Sequence, residues 1–453
     1  ALNKKVLSCN FTGSSAWDFP LKGLCFFNEP DFDKFEERVK NLLNLDFKSY
    51  QSSLNNKTSY IMAREFKDST SNKLKRRINI YFNLFKRVKF MYGLIKKKKI
   101  IIFDDITGEL SFFFKKKDFF LINSRLININ KLYFNINILK FIILNYFKRS
   151  IKLNYLIALI SNIDPKIVVT FIDNSKEFHY LSKYFNKKIR FLAIQNATRG
   201  DYHYLTKKEK EKIFFQKLFC IGGYDIELFK NLKISGNFQN AGSLRTSIFV
   251  NKFNNELNQK KIFDICLIGK NLVKVVHADL NYEDSIIPEY LILLENIKRY
   301  VEEKKLSLVV CCKNYGFKLD AEKFFYEKFF GTLNVSISMN GKDLYDRNYF
   351  NSYKSILKSE IVVGLNSTLL RESFYFDKKT LCVDFSQKKK QPFKDISLCE
   401  SKNFNDLKFK LDLLLKMNRD DYFKNLNYPE DYIVSKNDIF TEINNINQTL
   451  ERQ

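Results

Sequence analysis

The chain has 453 residues, more than one compact core usually organises, so two domains are the expectation. Its hydrophobic content of 45% against 28% charged residues is a globular balance, and the formal charge of +27 suggests polyanionic partners: nucleic acid, an anionic bilayer surface or phosphorylated substrates. An abundance of Lys, Asn, Ile and Phe, the residues of AT-rich coding, offers a second source for that charge.

The eight cysteines include no C-x-x-C spacing and several sit in apolar runs such as Ile265-Cys266-Leu267-Ile268, which points to a reducing compartment. With His179, His203 and His277 as the only histidines and no Cys/His cluster, a structural zinc site is not expected. No apolar run reaches about eighteen residues, and residues 1–10 lack the long apolar core of a signal peptide. A cytoplasmic protein is expected, able to rest on a membrane.

In chain order, residues 5–9 read as a strand and residues 32–45 as a helix. Residues 73–99 interleave Lys and Arg with Tyr81, Phe82, Phe85, Phe90 and Tyr92. At helical spacing this is either a basic surface for anionic lipid or a solvated helix with its aromatic side on the core. Residues 98–105 form a strand ending in Asp104-Asp105, read as a solvated turn. From residue 150 the pattern sharpens: a helix to Ile163 broken by Pro165, a strand at 166–172, a helix at 178–185, a strand at 189–194, another at 218–221 and a short helix at 225–232. Residues 251–261, rich in Asn and Lys, are the linker candidate. A second alternating series begins at Phe263 with a strand to Ile268, then a helix over 288–304, a strand at 306–312, a helix over 320–330 and a polar region to Tyr353. Alternation of this kind implies parallel sheets. Helices at 404–450 are expected to return to the first domain. The domains are therefore placed at 1–250 and 262–403, with 404–453 as the returning tail.

The segment Val362-Val363-Gly364-Leu365-Asn366-Ser367-Thr368-Leu369-Leu370-Arg371-Glu372-Ser373-Phe374 reads as strand, polar turn and helix, and Lys378-Lys379-Thr380-Leu381-Cys382-Val383 as the next strand. A helix that starts at such a turn offers unpaired backbone N–H groups to a phosphate, although Asn366, Ser367 and Thr368 also suit simple helix capping. Lys313 and Arg245 follow strand ends that would face the same cleft, and Arg199 and Arg245 can each hold a carboxylate or phosphate with two parallel bonds. Asp173 and Asp201 lie just beyond strands of the first domain and are the candidate catalytic carboxylates, with an Asx-turn cap as the alternative for Asp173.

Four stretches together resemble the bacterial surface carbohydrate biosynthesis proteins, which have a GT-B glycosyltransferase-like layout. They are Thr170-Phe171-Ile172-Asp173-Asn174-Ser175, Ile194-Gln195-Asn196-Ala197-Thr198-Arg199, Gly242-Ser243-Leu244-Arg245 and Gly364-Leu365-Asn366-Ser367-Thr368-Leu369-Leu370-Arg371-Glu372, within residues 150–400. The resemblance implies an α/β, GT-B-like fold of two Rossmann-like domains facing a central cleft. More distantly the layout is similar to CMP-Kdo-dependent transferases, which implies transfer of an acidic sugar. It places Glu372 where related enzymes hold the ribose, and Gln195 and Asn196 where the Kdo transferases carry an E-D-G-like turn; an Asn there cannot serve as a nucleophile.

The expected activity is thus a metal-independent glycosyltransferase of surface polysaccharide assembly. Asp173, Asp201 and Arg199 are catalytic, and Arg245, Lys313, Asn366, Ser367, Thr368 and Glu372 bind the donor. Gln195 and Asn196 lie on the acceptor side. No cofactor beyond the nucleotide-sugar donor is expected; the other partners are a glycan or lipid-linked acceptor and an anionic membrane at the inner face. A CDP-glycerol-type phosphotransferase is the alternative. A nucleic-acid-binding protein is the further one, set aside because Lys is spread along the chain without a recognition motif.

Overall fold

The computed structural model describes residues 88–200, 211–270, 287–339, 350–384 and 392–451, apart from short breaks, together with 8–9, 26–27 and 37. Ala1–Lys86 with Lys270–Ile297 form one compact unit, and Arg87–Gly269 with Lys298–Gln453 another. In the first unit, β1 (Ser8–Cys9) runs parallel to β2 (Phe26–Phe27).

The second unit holds two parallel six-stranded sheets. Its first half contains β3 (Lys89–Tyr92), β4 (Ile100–Phe103), β5 (Phe119–Ile122), β6 (Lys131–Phe134), α1 (Ile136–Leu144), α2 (Ile151–Ile163), β7 (Ile167–Thr170), α3 (Lys176–Tyr184), β8 (Arg190–Ile194), β9 (Phe214–Cys220), α4 (Gly223–Asn231), β10 (Ser235–Asn240) and α5 (Leu244–Lys252). The second series runs β11 (Phe263–Ile268), α6 (Ile287–Lys304, of which the part to Ile297 belongs to the first unit), β12 (Leu308–Cys311), α7 (Phe317–Phe330), β13 (Val335–Ser338), α8 (Phe350–Leu357), β14 (Ser359–Leu365), α9 (Thr368–Tyr375), β15 (Lys379–Val383) and β16 (Glu400–Ser401). The helices α10 (Phe404–Lys416), α11 (Arg419–Lys424) and α12 (Ile439–Glu451) follow.

The strand orders are β10-β9-β8-β7-β4-β5 and β13-β12-β11-β14-β15-β16. The second is the 3-2-1-4-5-6 order of a nucleotide-binding Rossmann sheet. The chain is therefore an α/β protein with two Rossmann-like domains in a GT-B-like layout.

Alternation along the strands divides the first sheet's side chains between two buried layers. Ile101, Phe103, Val168, Phe191 and Leu218 face a layer with Leu156, Ile157, Phe178, Leu181 and Phe229. Ile100, Ile102, Val169, Leu192 and Ile194 face the other, with Leu244, Ile248, Phe249, Tyr353, Ile439 and Ile443. Both faces are dry, as a parallel sheet requires. The second layer draws on α5, α8 and α12, so the tail covers the first sheet. Each such aliphatic or aromatic side chain contributes about 1.5–3 kcal/mol by leaving water.

Helix ends follow local chemistry. Ser150 Oγ accepts from Leu153 N at 3.3 Å, and α2 stops at Asp164 in the left-handed region (φ 55°), just before Pro165. Ser175 Oγ accepts from Phe178 N at the start of α3. Gly222 precedes α4 where a Cβ would stand 2.5 Å from the Tyr432 carbonyl oxygen, so no other residue fits without moving the tail.

Several expectations are corrected. Asp104 and Asp105 do not form a solvated turn: they are 0% and 8% exposed. Asp104 accepts from Ser124 N and Oγ, each at 2.6 Å, and Asp105 accepts from Leu110 N, Ser111 N and Ser111 Oγ. Burial raises the pKa of both above the ordinary carboxylate value, and the serine hydrogen bonds offset part of that. Within residues 73–99, the stretch Lys89–Tyr92 is a strand paired to β6, not part of a helix, while 73–87 lies outside the described residues. Asn251 and Lys252 close α5, and Phe253 and Leu257 pack on the core, so that stretch is more than a linker. The helix expected at 32–45 falls outside the described residues apart from Glu37. No helix among the described residues is long and apolar enough to cross a membrane.

Candidate functional site

In a doubly wound sheet, ligands bind beyond the carboxyl ends of strands at the point where the strand order reverses, because the crossovers on either side diverge there and leave a crevice. In the second sheet that point lies between β11 and β14. Past β11 comes Gly269, where a Cβ would approach the Cys311 carbonyl oxygen to 2.4 Å. Past β14 come Asn366, Ser367 and Thr368, all half-buried, opening α9. Ser367 is the N-cap, its Oγ accepting from Leu369 N at 3.4 Å. In the first sheet the reversal falls between β4 and β7, and Asp173 lies just past β7.

The two carboxyl edges meet. Thr198, in the loop after β8, donates its backbone N–H to Thr368 Oγ1 at 2.9 Å. That hydroxyl accepts one bond and keeps its proton as a donor. Ser243, the N-cap of α5, donates its Oγ–H to Glu372 Oε1 at 2.6 Å. Glu372 is buried, and burial raises its pKa; the nearby Arg245 charge and the hydrogen bonds from Ser243 and Tyr353 act against that shift.

Behind Thr198 sits a buried ion pair. Arg199 donates from Nε to Asp173 Oδ2 at 2.8 Å and from Nη2 to Asp173 Oδ1 at 2.5 Å, and Nη2 also reaches Asn196 Oδ1 at 2.8 Å. Asp173 further accepts from Asn196 N. The Asp173 and Arg199 side chains are 0% and 6% exposed, so the carboxylate's acceptor sites are occupied by the loop it holds. Gln195 is tied as tightly: its Nε2 donates to Ala197 O and to Asp225 Oδ1 at 2.7 Å, and its Oε1 accepts from Ile221 N.

Asp225 in turn receives Arg371 on both oxygens, at 3.1 and 2.6 Å, while Arg371 Nε donates to Ile433 O at 2.7 Å. Arg371 is the largest side chain with no exposure in the described chain. Sequence reasoning did not single it out; its place on the buried face of α9, between Leu370 and Phe374, was the available signal, but the partner lies 146 positions away.

Arg245 is half-buried, with its Nε 3.0 Å from Glu109 Oε1 and its guanidinium 5.2 Å from the Phe171 ring. Lys313 follows β12, exposed, and its backbone N–H goes to Glu322 Oε1. The structure thus brings together Asp173, Gln195, Asn196, Arg199 and Thr368 through one set of contacts, and Glu372 with Ser243. Asp201 and His203 lie outside the described residues. His179 is buried with Nδ1 3.2 Å from the Phe214 carbonyl oxygen, and burial lowers its pKa. Among the described residues no three His, Cys, Asp or Glu side chains are grouped to hold a metal ion.

No family model and no curated protein sequence matches the chain. The chain is similar to solved structures at low identity and at TM-scores below 0.5. The wall teichoic acid polymerase TagF is 12% identical, with 86% of this chain and 97% of that one covered, at a TM-score of 0.43. A putative UDP-N-acetylglucosamine 2-epimerase from Listeria monocytogenes is 12% identical over 79% of this chain and 98% of its own, at 0.47. The UDP-GlcNAc 2-epimerase from Neisseria meningitidis bound to UDP-GlcNAc is 13% identical over 78% and 99%, at 0.45.

Proposed function

We propose that the chain is a metal-independent glycosyltransferase that moves a sugar from a nucleotide donor, a CMP-activated acidic sugar such as Kdo, to a glycan or lipid-linked glycan in surface polysaccharide assembly. The observation that carries this reading is the Thr198–Thr368 hydrogen bond, which sets the start of α9, at the strand-order reversal of the second sheet, against the first sheet's β8 loop. A phosphate held at that helix start and an acceptor held by that loop would be neighbours.

In the proposed reaction the first-turn N–H groups of α9 and the Thr368 hydroxyl bind the donor phosphate. Arg245 and Lys313 supply positive charge as the bond from anomeric carbon to phosphate oxygen breaks. Asp201 takes the proton of the acceptor hydroxyl, whose oxygen forms the new bond to the anomeric carbon, and the nucleoside monophosphate leaves. Asp173 acts through Arg199, holding its guanidinium toward the acidic group of the sugar.

The test is a melting-point screen with CMP, CDP, UMP, UDP, GDP and ADP, since a ligand that binds only the folded state raises stability by mass action. At a concentration one hundred times the Kd the gain is about 2.7 kcal/mol. CMP should give the largest shift. No shift with any nucleotide at millimolar concentration would sink the reading, and turnover of CDP-glycerol with transfer of glycerol phosphate would replace it with a phosphotransferase.

A further inference from the structure

A helix with a wide apolar surface normally buries it in a core or in lipid. Helix α1, Ile136-Asn137-Ile138-Leu139-Lys140-Phe141-Ile142-Ile143-Leu144, carries no acidic residue and buries only part of its surface. Ile138 is fully buried, and Phe141 and Ile142 pack on the core. On the opposite stripe, at spacing i, i+3 and i+7, Ile136 is 80%, Leu139 47% and Ile143 72% exposed; Phe147, one more turn along, is 98% exposed.

Exposed apolar residues also flank the turn that the chain makes after β3. The paired strands β3 and β6 end together at Tyr92 and Phe134, and Gly93, at φ 109°, turns the chain while donating its N–H to the Phe134 carbonyl. Tyr92, 80% exposed, and Leu94, fully exposed, flank that turn, and Phe134 lies one residue before Asn135, the N-cap of α1. Isolated exposed apolar residues are ordinary, but several on one face of a short helix mark an interaction surface.

Charge says what covers it. Residues 131–163 contain Lys131, Lys140, Lys148, Arg149 and Lys152 and no Asp or Glu; residues 88–103 contain Lys89 and Lys96 to Lys99 and again no acid. Lys97 is paired with Asp164 and Lys152 with Glu177, while Lys140 lies on the helix and Lys148 just past it. An apolar stripe with exposed aromatics and cations of this kind at its ends and along it matches an anionic bilayer surface, with the apolar side chains at the headgroup boundary and the lysines among the phosphates. At about 1.5 Å per residue, nine residues are far too short to span a bilayer, so the helix would lie on it.

We propose that the exposed face of α1, together with Tyr92, Leu94 and Phe147, is the docking surface of this chain for an anionic lipid bilayer. It stands apart from the nucleotide reading and does not need it.

Co-sedimentation of the full chain with phosphatidylcholine vesicles, with and without phosphatidylglycerol, tests it. Binding should require the anionic lipid and weaken with salt. Lys140→Gln and Lys148→Gln should each lower partitioning by about fivefold, and Leu94→Glu with Phe147→Glu should abolish it at an unchanged melting temperature. Phe409→Glu, at a 65% exposed site on α10, should leave it intact. Recovery in the supernatant with both lipids overturns the proposal, as does equal binding to neutral vesicles. So does sedimentation velocity showing that Leu94→Glu with Phe147→Glu splits a dimer while lipid binding is unaffected, which would make the face a contact between copies.

Discussion

Asp225 and Arg371, 146 positions apart, meet in a two-pronged ion pair in which neither side chain has any exposure. The pair joins α4 of the first domain to α9 of the second. Through Gln195, which shares the Asp225 carboxylate, it also fixes the loop that carries Thr198 and Arg199.

Removing one partner leaves a charge buried without compensation, which costs about 3–5 kcal/mol. Arg371→Leu and Asp225→Leu should each destabilise by that order in denaturant unfolding. The double variant should lose less than the sum of the two, because the second change removes the orphaned charge. Strict additivity would show that the pair is not coupled as the geometry requires.

Thr368→Val keeps the shape of the residue but leaves Thr198 N–H without its acceptor and removes one donor from the helix start. A buried unsatisfied donor costs about 1–3 kcal/mol, equivalent to roughly 5- to 150-fold in nucleotide affinity by calorimetry if the two edges must meet to bind it. Thr368→Ser retains the hydroxyl and should bind close to the parent. Equal affinity in all three proteins would remove Thr368 from the site.

Asp173→Asn should leave nucleotide binding intact while transfer falls by about 100-fold or more, since the Arg199 guanidinium loses the carboxylate that fixes it and small misplacements are expensive in rate. Comparing kcat with KM on a defined acceptor checks this. A fully active variant would reduce the pair to scaffolding.

The pKa of Glu372 is raised above its ordinary 4.5 by burial. The folded state therefore holds this proton more tightly than the unfolded chain. The corresponding stability is fully present below 4.5 and is lost as pH rises through the folded value. Glu372→Gln can still accept from Ser243 and carries no charge. Its melting temperature relative to the parent should therefore climb as pH is raised from 4.5, and a difference that does not change with pH would contradict the assignment.

Gly222→Ala sets a methyl against the Tyr432 and Ile433 carbonyl oxygens, which a Cβ would meet at 2.5 and 2.6 Å. Overpacking of this kind costs about 1–3 kcal/mol. Because Ile433 O is also the acceptor for Arg371 Nε, the tail should become easier to cleave by protease near 431–435.

Periodicity and capping chemistry in the sequence were enough for the elements that are buried and regular. The helix after Ser150, closed before Pro165, and the β14–α9–β15 unit are set by neighbours in sequence, so local reading reaches them. Strand β10, Ser235-Gly236-Asn237-Phe238-Gln239-Asn240, escaped it, since an edge strand paired only to β9 needs little apolar content. Strand β13 and helix α8 were hidden in a stretch read as polar.

Strand order and polar partners were decided by the tertiary structure alone. That Asp104 and Asp105 are buried depends on Ser124 and Ser111 arriving to bond them. That Asp173 is occupied depends on Arg199 folding back 26 positions later in the chain, and that Arg371 can be buried at all depends on Asp225. Hydrophobic pattern repeats along the chain and can be read there. The pairing of polar groups 20 to 170 positions apart leaves no local trace, because its free energy exists only once the surrounding core has excluded water.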